Sequence, residues 1–145
     1  MGSAIWVNYG IGVCTTDLKI KSTKSVAKLI SLAPDFNEYV KQVFADCDIS
    51  KPTLEDYLEL DEDYQNGIAY ILQEVINELT EINVTACDDI NGKRYLLYQP
   101  LYPWQMTNLE KGLDKRTVED ILTRYISVIT NTEFAIDEIS AENCG

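Results

Sequence analysis

The chain has 145 residues, 46% of them hydrophobic, with 24 acids, 12 bases and no histidine. Such a length and composition fit a single globular domain able to bury its own core, and exclude a disordered or fibrous chain. The net charge of −12 opposes direct binding to nucleic acid or to an anionic membrane, since both would repel it.

Met1–Ser3 are set aside as a tag or disordered start. Residues 4–140 are expected to form the domain, and 141–145 a frayed tail. Ile5–Val13 (IWVNYGIGV) is rich in β-branched and aromatic residues and predicts a strand. Gly10 and Gly12 within it suggest a bulge or a close backbone approach. With no third glycine and Thr15-Thr16-Asp17 following, they make a weak phosphate loop. Ser22 or Thr23 caps a first helix with Val26, Leu29, Ile30 and Ala33 on one face. Pro34 interrupts it. A second helix carries the stripe Phe36, Tyr39, Val40, Val43 and Phe44, read as core. Thr53, with Asp56 three residues on, caps an acidic helix. Ile68, Ile71, Leu72, Val75, Ile76 and Leu79 define a long buried helix.

VTAC and RYLLY flank DDINGK, where Asn91-Gly92 suits the positive φ angles of a type I′ turn, so a hairpin is expected. QPLYPWQM reads as a proline-anchored loop, and Thr107 with Glu110 as a capping box on a short helix. Asp114 opens the last helix, lined by Val118, Ile121, Leu122, Tyr125, Ile126 and Ile129. Phe134–Ile139 reads as a final strand. Runs of helices around a hairpin favour an α+β fold: a single domain with a small antiparallel sheet made of the N-terminal strand, the central hairpin and the C-terminal strand, packed with four to six helical segments.

The four cysteines, Cys14, Cys47, Cys87 and Cys144, form no CxxC pair. With no export signal, they are expected as free thiols in a cytoplasmic protein, Cys47 and Cys87 in its core. Asn83-Val84-Thr85 matches a glycosylation sequon, read as chance in that setting.

Charge is distributed unevenly. Lys19, Lys21, Lys24 and Lys28 cluster near the start, whereas Pro52–Gly92 holds eleven acids and no base. Six of those acids fall within TLEDYLELDED, residues 53–63. On a helix turning about 100° per residue, Glu55, Asp56, Glu59, Glu62 and Asp63 share an arc of about 120°, with Leu54, Tyr57 and Leu58 on the other side. Like charges at i, i+4 cost such a helix about 0.2–0.5 kcal/mol per pair. The ridge is either a solvated acidic face or a surface for something positive. An EF-hand loop fails in two registers: from Glu62, Tyr64 is third and Gln73 twelfth; from Asp61, Asn66 is sixth and Leu72 twelfth. No metal and no cofactor are expected.

Asp88 and Asp89, joined by Glu74 or Glu78 and with Lys93 downstream, give the alternative reading, a metal-dependent nuclease-like enzyme; their spacing matches no nuclease motif, and Asp-Asp beside Asn-Gly is ordinary turn composition. Tyr98, Tyr102 and Trp104 cluster around Pro100 and Pro103. Such aromatics are either buried under the loop or offered to a partner as anchors.

In its size, charge, acidic helix Thr53–Asp63 and lack of a catalytic motif, the chain resembles, as a class, the small acidic proteins with which phages inhibit DNA-binding defence machinery, including anti-CRISPR proteins. The resemblance implies a non-enzymatic inhibitor, a nucleic-acid mimic working in the host-cell cytoplasm. It would occupy the basic nucleic-acid-binding groove of a nuclease, CRISPR nucleases among them, without binding nucleic acid or membrane itself. The expected partner-binding residues are Glu55, Asp56, Glu59, Glu62, Asp63, Tyr98, Tyr102 and Trp104. A homodimer is compatible with the sequence.

Overall fold

A computed structural model describes residues 5–16, 18–60, 67–80, 82–88, 93–98, 115–131 and 133–144. The element order is β1 (Ile5–Cys14), α1 (Thr23–Ser31), α2 (Pro34–Asp46), α3 (Leu54–Leu58), α4 (Ile68–Leu79), β2 (Val84–Asp88), β3 (Arg94–Tyr98), α5 (Lys115–Ile129) and β4 (Asp137–Cys144). The strands form one antiparallel sheet in the order β2-β3-β1-β4. This is the α+β arrangement that the pattern predicts. The hairpin strands pair from Val84↔Tyr98 to Asp88↔Arg94; the Asn91-Gly92 turn and the expected Thr107–Glu110 helix lie outside the described residues. β4 begins later than Phe134 and pairs with β1 as far as Ile5↔Cys144, through residues expected to fray. Backbone pairing, which a hydropathy pattern does not report, extends it.

α4 packs on β2 and β3, and α5 on β1, while α1 lies against α4 and α5, and α2 against α1 and α4. The core between these layers holds Ile11, Val13, Val26, Leu29, Leu72, Ile76, Leu96, Leu122 and Ile126, all essentially inaccessible. Alternation along β3 sends Leu96 to the helix-facing side and Leu97 to the opposite side; both are fully buried. Leu97 sits across from Gly12. A Cβ on Gly12 would stand 2.0 Å from the Leu96 carbonyl oxygen and 2.7 Å from Leu97 Cδ2. Glycine is there because two backbones approach closely, as expected of it.

Local chemistry sets the helix ends. Ser22 caps α1 in a reciprocal pair with Ser25. α2 ends in a Schellman turn: Ile49 N–H reaches Phe44 O at 2.8 Å and Asp48 N–H reaches Ala45 O at 3.2 Å. Asp48 takes the left-handed position, φ 57°, where aspartate is among the few tolerated side chains.

β2 is an edge strand, and α4 covers that edge. Asn77 donates from Nδ2 to Val84 O at 2.9 Å and accepts from Val84 N–H at 2.7 Å. One turn earlier, Gln73 Oε1 accepts from Ala86 N–H at 2.8 Å. Two amide side chains at i, i+4 thus bond as a neighbouring strand would, answering polar groups that would otherwise invite edge pairing.

Two stripe assignments need correction. Tyr39 is 52% exposed and Leu79 37% exposed, although both continue apolar stripes. On α2, buried Phe36, Val40 and Phe44 centre the contact; Val43 lies about 60° from that centre and is half-buried, and Tyr39 about 100° from it. Leu79 is the last residue of α4. Cys47, expected in the core, is an exposed residue beyond the last turn of α2, and Cys87 is half-buried.

Candidate partner-binding surface

Thr53 and Asp56 close a capping box on α3: Asp56 N–H donates to Thr53 Oγ1 at 3.3 Å, and Thr53 N–H to Asp56 Oδ2 at 2.8 Å. Asp56 therefore spends much of its carboxylate on the helix start. Tyr57 is buried and meets Phe44 of α2 edge-on, ring centroids 5.2 Å apart. That contact pins the segment to the core and leaves Glu55 and Glu59 exposed. Burial pushes the Tyr57 hydroxyl up from its ordinary pKa of 10.0.

The helix is shorter than the ridge expected over residues 53–63. α3 ends at Leu58 with Glu59 as its C-cap. Glu55 and Glu59 keep the expected like-charge spacing: Glu59 N–H bonds Glu55 O at 3.0 Å, so these acids stand one turn apart. Neither has a basic partner among the described residues. Glu62 and Asp63 lie outside the described residues. A helix of five residues holds little helical stability of its own, and buried Tyr57 fixes the segment.

A second acidic site involves residues the sequence left unassigned or read otherwise. α2 begins with Ala33 at its N-cap, whose side chain cannot accept a hydrogen bond. Glu78 of α4 takes that role: its carboxylate accepts Asp35 N–H at 3.0 Å and Phe36 N–H at 2.8 Å. Beside this junction lies an open groove of about 490 Å³, lined by Asp35, Phe36, Tyr39, Tyr70, Glu74, Asn77 and Glu78. Phe36 stacks against Tyr39 at 6.2 Å and meets Tyr70 edge-on at 6.0 Å. None of Asp35, Glu74 or Glu78 has a basic partner among the described residues. The groove was illegible in the sequence because it exists only where α2 and α4 meet, and Tyr39 alone, at the margin of its stripe, hinted at it.

For the nuclease-like alternative, Asp88 ends β2 directly opposite Arg94, and Glu78 is engaged in capping α2. Glu74 lies in the groove with Glu78; Asp89 lies outside the described residues. Among the described residues no three His, Cys, Asp or Glu side chains are grouped to hold a metal ion. Tyr98 is the last residue of β3, half-buried against the core, so it belongs to the sheet and not to the aromatic loop. Tyr102 and Trp104 lie outside the described residues. No helix among the described residues is long and apolar enough to cross a membrane.

Comparisons with protein-family models, with curated proteins and with solved structures gave no match.

Proposed function

We propose that this chain is a non-enzymatic acidic binding protein that engages a basic, nucleic-acid-binding partner, as an inhibitor of the phage anti-defence type, anti-CRISPR proteins included. The observation that carries the reading is Glu55 and Glu59: two exposed carboxylates, with no basic partner among the described residues, on a segment anchored through Tyr57, within a stretch from Pro52 to Gly92 that holds no base. A basic groove that expects phosphates can accept carboxylates presented on a fixed element, and attraction between opposite potentials speeds and orients docking.

The test is a competition. A purified CRISPR nuclease with its guide is loaded with fluorescent target DNA, and the chain is added. Displacement of the DNA is expected, weakening as salt rises because exposed charges are screened within about 8–10 Å at physiological ionic strength. Replacing Glu55, Glu59 and Glu62 together by Gln keeps good helix formers and relieves like-charge repulsion, so thermal stability should hold while displacement weakens. A triple variant that displaces DNA as well as the parent at low salt refutes the role of these carboxylates. Turnover of DNA or RNA by the pure chain in Mg²⁺ or Mn²⁺ refutes the non-enzymatic reading.

A further inference from the structure

Tyr39 poses a physical problem. It is a large ring, half in water, on a helix whose neighbouring rings are buried. Together with Phe36 and Tyr70 it forms an aromatic corner, and the open groove beside it carries Asp35, Glu74 and Glu78. The Glu78 carboxylate already offsets the positive end of α2 by accepting its first two free N–H groups. Asp35 and Glu74 therefore leave the groove with negative charge that no base among the described residues compensates. Aromatic faces are electron-rich and attract cations, and carboxylates at the rim add directed acceptors.

We propose that the groove between α2 and α4 binds an arginine side chain of a basic protein partner. Arginine fits better than lysine. Its planar guanidinium stacks on an exposed ring and presents several donors at once to flanking carboxylates, whereas an ammonium is a compact, strongly hydrated point charge. Tyr39 is the stacking face, while Glu74 and Asp35 are the acceptors. Asn77 lines the groove, but its amide is committed to Val84. The proposal rests on the reading that the partner is basic, and it adds a contact separate from α3. Tyr57 of α3 meets Phe44, eight residues and about 12 Å along α2 from Phe36.

The test uses the full chain and a peptide of three Gly-Arg repeats, with its lysine and citrulline counterparts. Affinity is read by calorimetry at low salt, and the Tyr39 ring resonances by NMR. The arginine peptide should bind most tightly and shift the Tyr39 ring, and the citrulline peptide, isosteric but uncharged, most weakly. Tyr39→Ala should weaken arginine-peptide binding about threefold or more, and Glu74→Gln about two- to fivefold. Tyr39→Phe, which keeps the ring, should bind like the parent. Because Tyr39 is exposed, its loss should leave the fold intact, as circular dichroism would verify. Parental affinity in both Tyr39→Ala and Glu74→Gln overturns the proposal, as does a citrulline peptide that binds equally well. If only Glu55→Gln/Glu59→Gln weakens the arginine peptide, the groove is refuted while the acidic binding reading stands. If the groove variants weaken it and the α3 variant still displaces DNA normally, the groove stands and the α3 contact fails.

Discussion

Asn77→Ala removes the side chain that serves as a neighbouring strand for Val84. Two hydrogen bonds are lost, at 2.7 and 2.9 Å, both partly buried. A typical intramolecular bond contributes about 0.5–1.5 kcal/mol net, so the expected loss is about 1–3 kcal/mol. For a domain of 145 residues, an unfolding entropy of about 2.1 cal/mol/K per residue gives about 0.3 kcal/mol/K, which converts this loss into a Tm decrease of about 3–10 °C. Thermal and urea unfolding measure the magnitude. Native-state hydrogen exchange tests the mechanism: the Val84 amide should lose protection selectively, while the Ala86 amide, held by Gln73, should be affected less. Asn77→Asp sharpens the test, since a carboxylate can still accept from Val84 N–H but faces the Val84 carbonyl with a second acceptor. A loss below about 0.5 kcal/mol, or unchanged exchange at Val84, would refute the account of how this edge is protected.

Leu72→Ala, at a fully buried position of α4, should cost about 2–5 kcal/mol by urea denaturation; a loss below about 1 kcal/mol would move α4 out of the core. Tyr57, whose pKa is raised by burial, should make the fold alkali-sensitive. Its contribution is complete below the unfolded value of 10.0 and is lost as pH rises toward the folded value, because ionisation is easier in the unfolded chain. The parent should therefore lose more stability than Tyr57→Phe as pH climbs past 10, and parallel pH profiles would contradict this. Cys47 is exposed, whereas Cys14 and Cys87 are half-buried; a thiol reagent on the native protein should modify Cys47 fastest, and modification of Cys14 or Cys87 ahead of it would contradict the placement.

Much of the fold is written locally. Val26, Leu29, Ile30 and Ala33 recur at helical spacing and are all buried. Ser22 and Thr53 accept the bonds that their positions forecast, and VTAC and RYLLY, flanking DDINGK, form the antiparallel pair expected of a hairpin. These features depend on neighbours three or four residues away along a helix, or two along a strand, and such neighbours are visible in a linear sequence. The rest depends on which elements meet. Glu78 caps a helix beginning more than forty residues earlier, and its own surroundings in sequence mark it only as one acid among many. Gln73 and Asn77 read as the polar face of an amphipathic helix until β2 is laid beside them. Tyr39 has the spacing of a core residue and is exposed because it lies about 100° around the helix from the centre of the buried face of α2. Periodicity states that a face will be covered; the width of the covering element decides which marginal side chains it reaches, and here that width left an aromatic corner open to solvent between acidic rims.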